Sequence, residues 1–266
     1  RVYVQADAVW VEDVGEVGDA TFQALRKFLL YGTKAKMENC GESWGLLLVS
    51  GPKSAEAVAA AFGIEVRALQ LLHTLPATIG GQQGLILRTE ETGEQDFEVL
   101  LPADAVPAAW NQLMTSGAPF GIKPVGAQAR ELLRIEAGLP KAGPDLNEEI
   151  VPPEANLEGK AFSLSKGCYP GQEVVARMDT YGNVRRHLVG LIIQDKTVPP
   201  AGSKLFSGDR EVGWVSSAVF SPQRNAALAF GFPLRDFSAP DTTLTVEVAG
   251  TRHQATVHAL PFQKHS

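Results

Sequence analysis

Two periodicities alternate along the first half of the chain, and only one of them persists in the second. In the first half, short apolar runs of strand character are interleaved with segments whose apolar residues recur every three or four positions, the spacing of one helical face. Arg1 to Val11 predicts a strand, a turn at Asp7 and a second strand, so the chain is expected to begin in mid-architecture, behind a leading segment. Thr21 to Leu30 predicts a helix with Phe22, Leu25, Phe28 and Leu29 on one face and Asp19 as its cap. Leu46 to Val49 predicts a buried strand, ended by Ser50-Gly51-Pro52, and the alanine-rich Ser54 to Phe62 a helix with Ala55, Val58, Ala59 and Phe62 inward.

The same order repeats once. Leu85 to Thr89 and Phe97 to Leu101 predict paired strands around the polar turn Glu90 to Asp96, whose acids are expected in solvent, followed by a helix over Ala105 to Ser116. Val125 to Gly138 predicts a further helix with Leu132, Leu133 and Ile135 in its core and Gly138 as its stop. Pro140 to Leu157 has no period and is rich in proline, glycine and acids; irregular stretches of that length are usually functional or disordered.

From Val184 onward only the period of two remains, with turns near Pro199-Pro200, Ser207-Gly208-Asp209, Ser221-Pro222 and Ala249-Gly250. Short strands at that spacing predict a small antiparallel barrel or sandwich. The fold class is therefore α+β, with an α+β region of two lobes over residues 1–183, a β-barrel domain over 184–266 and a boundary near Asn183.

Composition narrows the function. With 266 residues, 44% of them apolar and 20% charged, the chain is long enough for well-buried cores in two domains. A net charge of -6 argues against a broad phosphate-gripping surface, so extensive nucleic-acid binding is not expected. No apolar run is long enough to span a bilayer as a helix and no secretory leader is visible, which excludes a membrane partner in this reading. Cys40 and Cys168 are too few for a disulfide framework and have no metal-motif spacing, so both are read as reduced thiols in a cytoplasmic setting. His253 and His258 lie five apart in a strand-like segment and point to opposite faces, so no metal site is expected. Trp10, Trp44, Trp110 and Trp214 are read as packing residues.

One octapeptide stands apart, Lys166-Gly167-Cys168-Tyr169-Pro170-Gly171-Gln172-Glu173. Glycines give it tight turns and close backbone approach, proline stiffens it, and a neighbouring ammonium favours the reactive thiolate of a cysteine. Cys168 and Lys166 are the catalytic candidates; Tyr169, Gln172 and Glu173 are candidate binding residues.

This octapeptide, with Arg130-Glu131-Leu132-Leu133-Arg134-Ile135-Glu136-Ala137-Gly138-Leu139-Pro140, resembles the folate-binding family of glycine-cleavage T-protein and its YgfZ-type relatives. Asn147 to Pro152 resembles the family's acidic-Ile-x-Pro stretch, and Gly213 to Pro222 its Gly-x-Val-x-Ser...Ser-Pro signature. The Lys-Gly-Cys-aromatic-x-Gly-Gln-Glu form resembles the YgfZ branch, which includes mitochondrial iron-sulphur assembly factors.

The resemblance implies a three-lobed T-protein-like fold around a central channel, with a C-terminal antiparallel barrel, that binds tetrahydrofolate or a folate derivative. A pterin requires a carboxylate for its paired N–H edge and a cation for its tail. The alignment of Arg88 to Glu98 with the T-protein stretch ending in Gly-Phe-Glu makes Glu98 that carboxylate, and Arg130 matches a T-protein arginine at the folate site. The T-protein motif has Tyr where this chain has Glu91 and Gly where it has Glu90 and Asp96, and its catalytic aspartate would precede Arg1. The implied function is support of iron-sulphur cluster assembly or repair, and thereby of tRNA-modifying enzymes, with Cys168 at the folate channel and iron-sulphur proteins or assembly factors as partners. The alternative is aminomethyl transfer in a glycine-cleavage system. A third reading, a folate-independent cysteine hydrolase or transferase, has only His187 as the histidine nearest the loop.

Overall fold

Strand β1 (Val2–Val4) pairs antiparallel with β2 (Val9–Val11), setting Tyr3 opposite Trp10 on one face and Val2, Val4, Val9 and Val11 on the other. Tyr3 is buried; the four valines are exposed. The structure, a computed structural model, describes residues 1–13, 15, 17–169, 171–181 and 184–263. Two compact units, Arg1–Val125 and Gly126–Ser266, divide the chain. The expected domain boundary at Asn183 lies outside the described residues, as does Pro170 of the octapeptide.

In the first unit the hairpin leads to α1 (Gly18–Arg26), β3 (Trp44–Ser50), α2 (Ser54–Phe62), β4 (Thr74–Ile79), β5 (Gln82–Thr89), β6 (Asp96–Pro102) and α3 (Val106–Ser116). Strands β3, β6, β5 and β4 form an antiparallel sheet in that order. Alternation along each strand serves two different covers. Leu47, Val49, Ile86, Phe97, Val99 and Leu101 pack with Ala55 and Val58 of α2 and Leu113 of α3, each buried Leu, Val, Ile or Phe among them being worth about 1.5–3 kcal/mol. Leu85, Leu87 and Leu100 face the other way and pack with Tyr3 and Trp10 of the hairpin. Trp10 meets Trp44 edge-on, with ring centroids 5.0 Å apart.

The first predicted helix is shorter than its pattern. Helix α1 stops at Arg26, and the amides of Lys27 and Phe28 turn back to Ala24 and Leu25. Its apolar stripe is unburied, with Phe28 at 69% exposure, so periodicity there lacks the packing that would extend it. Asp19 accepts a hydrogen bond from Asn39 at 3.1 Å rather than capping the helix.

The second unit holds α4 (Ala127–Glu136), α5 (Gln172–Tyr181) and strands β7 (Val189–Ile193), β8 (Lys204–Ser207), β9 (Arg210–Ser221), β10 (Ala226–Gly231), β11 (Thr243–Val248) and β12 (Thr251–His258). The six strands close into an antiparallel barrel in the order β10-β7-β12-β11-β8-β9. Leu191, Ile193, Leu205, Val215, Val246 and Ala255 fill it. Ala249 and Gly250, both at positive φ, make the tight β11–β12 turn. The α+β class and the C-terminal barrel are thus as the patterns predict.

Candidate functional site

Glu98 is buried at 2% exposure, although alternation alone would send it to solvent. Its strand β6 lies second in the sheet, between β3 and β5, with Glu98 opposite Leu48 and Leu87. The face it shares with Leu87 and Leu100 is the one that the β1–β2 hairpin covers. Burial of a carboxylate calls for donors. Arg1 supplies one: its Nη1 lies 3.4 Å from Glu98 Oε1 and donates to Glu12 Oε1 at 2.8 Å. The other arm of the guanidinium forms an ion pair with Glu91 and reaches Glu90 O at 3.5 Å. Burial alone would lower the Arg1 pKa, but the charges of Glu12 and Glu98 outweigh it and hold the guanidinium above its ordinary value. Tyr3 donates its hydroxyl to Glu12 Oε2 at 3.1 Å, and burial followed by the Glu12 charge pushes its pKa well up. Three carboxylates, one guanidinium and one phenol therefore share this face.

The adjoining turn departs from expectation. Asp96 has no solvent exposure: its Oδ2 accepts from the amides of Glu91 and Thr92 at 2.7 and 2.8 Å, and its Oδ1 from the Thr92 hydroxyl at 2.7 Å. A side chain expected in solvent is the internal brace of the β5–β6 loop. Arg88 completes it, donating to the carbonyls of Thr89 and Asp96 and lying 5.1 Å over the Phe97 ring.

The remaining predicted site residues lie in the second unit. Cys168 is exposed on the segment ahead of α5. Lys166 Nζ sits 4.5 Å over the Tyr169 ring, a cation–π contact that occupies the ammonium with the aromatic face. Gln172 opens α5 and accepts from the Tyr169 amide at 3.1 Å, closing the loop onto the helix; Glu173 follows in the first turn, exposed. Arg130 lies on α4 with its side chain exposed. The structure thus brings Lys166, Tyr169 and Gln172 into one loop and seats Glu98 beneath Arg1. Among the described residues, no group of three or more His, Cys, Asp or Glu is placed to hold a metal ion, and no helix is long and apolar enough to cross a membrane.

Comparison with known proteins gives these residues a context. Residues 4–164 match the GCVT N-terminal domain and residues 186–264 the glycine cleavage T-protein C-terminal barrel domain. The chain belongs to the glycine-cleavage T-protein family. Aminomethyltransferase of Saccharopolyspora erythraea is 33% identical over 87% of this chain and 63% of its own length, and that of Streptomyces avermitilis is 33% identical over 88% and 63%. The solved glycine cleavage system aminomethyltransferase T of Bartonella henselae superposes with a TM-score of 0.79 at 26% identity, over 93% of this chain and 66% of that one. The chain thus spans 63% of the length of those two curated relatives, and its fold is that of T-protein.

Two T-protein-like motifs turn out to be halves of one buried network that sequence reading missed. Arg134, four residues after Arg130, donates to Asp145 Oδ2 at 2.8 Å, to Ser217 at 2.9 Å and to the Leu139 carbonyl at 3.0 Å. Asp145 Oδ1 accepts from Ser216 at 2.6 Å and Ser217 at 2.7 Å, and its Oδ2 also takes the Lys141 amide at 2.9 Å. Consecutive strand residues normally face apart, but Ser216 is the extra residue of a bulge in β9: Phe230 pairs with Ser217 and Gly231 with Val215. The bulge explains how both hydroxyls reach one oxygen. Further along β9, Ser221 donates to Glu136 at 2.8 Å. The Arg-Ile-Glu of α4 and the two serine positions of the barrel signature are therefore mutual partners. Spacing of Arg130 and Arg134 on one helical face was the only local signal; Asp145 sits 71 residues from Ser216.

The T-protein unit with the barrel also carries a cleft of about 470 Å³, lined among others by Gly138, Asn156, Lys160, His187 and His258. Glu98, Arg130, Lys166, Cys168, Tyr169, Gln172 and Glu173 do not line it, whereas His187, the histidine nearest the octapeptide, does. Burial, then the neighbouring Arg235, lowers the His187 pKa against the pull of Glu154, a net shift that favours the neutral imidazole.

Proposed function

We propose that this chain binds tetrahydrofolate or a derivative through Glu98 and belongs to a protein that transfers an aminomethyl unit. The burial of Glu98 beneath a guanidinium carries the reading: a carboxylate held out of water and met by one planar N–H donor at 3.4 Å suits the paired N–H edge of a pterin. Relatives bearing the name aminomethyltransferase support this over the cluster-assembly reading drawn from the octapeptide. The folate would supply the carrier for the one-carbon unit, and the chain's part is to bind and orient it.

Calorimetry with tetrahydrofolate tests the reading. Micromolar binding corresponds to about 8 kcal/mol. Glu98→Gln should weaken it by about 10- to 150-fold, the worth of about 1.5–3 kcal/mol for hydrogen bonds to a charged group. Unchanged affinity in Glu98→Gln would overturn the role of Glu98.

A second reading is favoured by one observation, the exposed thiol of Cys168 in a loop organised by Lys166, Tyr169 and Gln172. On this reading the chain is of YgfZ type and serves iron-sulphur proteins: the Cys168 thiolate attacks an electrophilic one-carbon unit and releases its carrier nitrogen, or attacks the outer sulfur of a donor persulfide and releases the donor thiolate, or itself ligates a transient cluster. Cys168→Ala separates the two. Aminomethyl transfer to purified glycine-cleavage partners should be insensitive to it, whereas complementation of a cluster-assembly defect should be lost.

A further inference from the structure

We propose that the Arg1 guanidinium is an internal stand-in for the ligand at Glu98, so that a planar aminopyrimidine edge binds by displacing it. This rests on the reading of Glu98 as the ligand carboxylate. A guanidinium and a 2-amino-4-oxopyrimidine share one feature, a rigid plane with parallel N–H donors spaced to meet a carboxylate, and two such donors compete for the same oxygens.

The distances say which contact yields. Arg1 Nη1 is 2.8 Å from Glu12 Oε1, the length of a charge-assisted hydrogen bond, and 3.4 Å from Glu98 Oε1, at the long limit. Glu12 is fixed from behind by the Tyr3 hydroxyl at 3.1 Å, and the Arg1 main-chain nitrogen is tied to the Glu12 carbonyl at 2.7 Å. Arg1 is thus anchored on the hairpin side and lies lightly against Glu98. Its other arm pairs with Glu91 on the β5–β6 loop, which the buried Asp96 holds in place. The guanidinium can give up the Glu98 oxygen while keeping Glu12 and Glu91. The side chain of Glu98 is 3% exposed and those of Arg1 and Glu91 are 25% and 15%, so the guanidinium lies nearer solvent than the carboxylate, and a ligand that meets Glu98 Oε1 takes the place of Arg1 there. The ligand class that follows is a neutral planar heterocycle with an amidine-like edge, and binding it costs the free protein its Arg1 contact.

The experiment compares wild type with Arg1→Ala, and with Arg1→Gln should the alanine variant fold poorly. Methylguanidine and 2-amino-4-hydroxypyrimidine are added in thermal unfolding, and tetrahydrofolate in calorimetry. Both small donors should raise the melting temperature of the variant more than that of wild type. Tetrahydrofolate should bind the variant on the order of tenfold tighter, because the binding-competent state no longer has to be freed. A variant that gains nothing from either small donor, or that binds tetrahydrofolate no better than a wild type that does bind it, overturns the proposal and leaves Arg1 a structural counter-ion. Should the small donors rescue the variant while tetrahydrofolate binds neither protein, the stand-in holds and the folate reading falls.

Discussion

Arg134 donates to Asp145 at 2.8 Å, and the carboxylate it meets has no exposure to solvent. Four hydrogen bonds from Arg134, Lys141, Ser216 and Ser217 satisfy that carboxylate. A buried ion pair adds little net stability over an apolar pair, but breaking one side strands the other. Asp145→Ala should therefore destabilise the barrel-containing unit by about 3–5 kcal/mol, and Ser217→Ala by about 1.5–3 kcal/mol. Urea unfolding followed by tryptophan fluorescence measures both. The double variant should cost less than the sum, since both residues belong to one network.

Gly213 on β9 offers a purely steric test. A Cβ there would lie 2.3 Å from Phe232 O and 2.7 Å from Pro233 Cα, both main-chain atoms that have no rotamer to change. Gly213→Ala should cost about 1–3 kcal/mol or more, as overpacking does, and lower the melting temperature. At Gly143, where no atom lies within 4 Å of the added carbon but φ is +97, the cost of alanine should be backbone strain alone.

The two thiols should separate kinetically. Cys168 is exposed, whereas Cys40 is half-buried and its pKa is raised by burial and then by Glu38. The thiolate is the reacting form, so iodoacetamide at neutral pH should label Cys168 first, by several-fold. Mass spectrometry of time points checks the order, and Cys168→Ser should remove the fast phase entirely.

His187 predicts a pH dependence of stability. Its native pKa is depressed below the ordinary 6.5 by burial and Arg235, so on acidification the unfolded chain takes up a proton before the folded one does. The His187 contribution is fully present above pH 6.5 and is lost as pH falls through the lower native value. His187→Gln should flatten the decline in melting temperature between neutral and mildly acidic buffer; an unaltered slope would remove His187 from the account.

Local pattern was enough wherever a segment's neighbours in space are also its neighbours in sequence. The β5–β6 pairing and, in the barrel, β8–β9, β9–β10 and β11–β12 follow from period and turn chemistry, because each partner lies one turn away, while α2 and α3 follow from their helical period. Three features were illegible for the opposite reason. Glu98 is buried only because a hairpin at the start of the chain covers its face, 97 residues upstream at Arg1. Asp96 sits in a run of acids that reads as a solvated turn, yet its oxygens are taken by two amides and a hydroxyl of that turn. Asp145 lies in an aperiodic loop, and its serines are brought to it by a bulge that no spacing announces. Glu98 and Arg130 were singled out through family motifs, and Cys168 through the composition of its octapeptide together with such a motif; these carry what periodicity cannot.

The family's N-terminal domain match ends at residue 164, whereas the compact unit that contains the barrel starts at Gly126. Helix α4 is therefore inherited with one domain and folded with the other, clamped there by Arg134 and Glu136. A chimera spliced between relatives at residues 165–185 would transplant the hydroxyls of Ser216, Ser217 and Ser221 without the residues that engage them. Crossovers beside Val125 keep those couples intact, so exchange of parts within this lineage is least disruptive well upstream of the junction that sequence comparison draws.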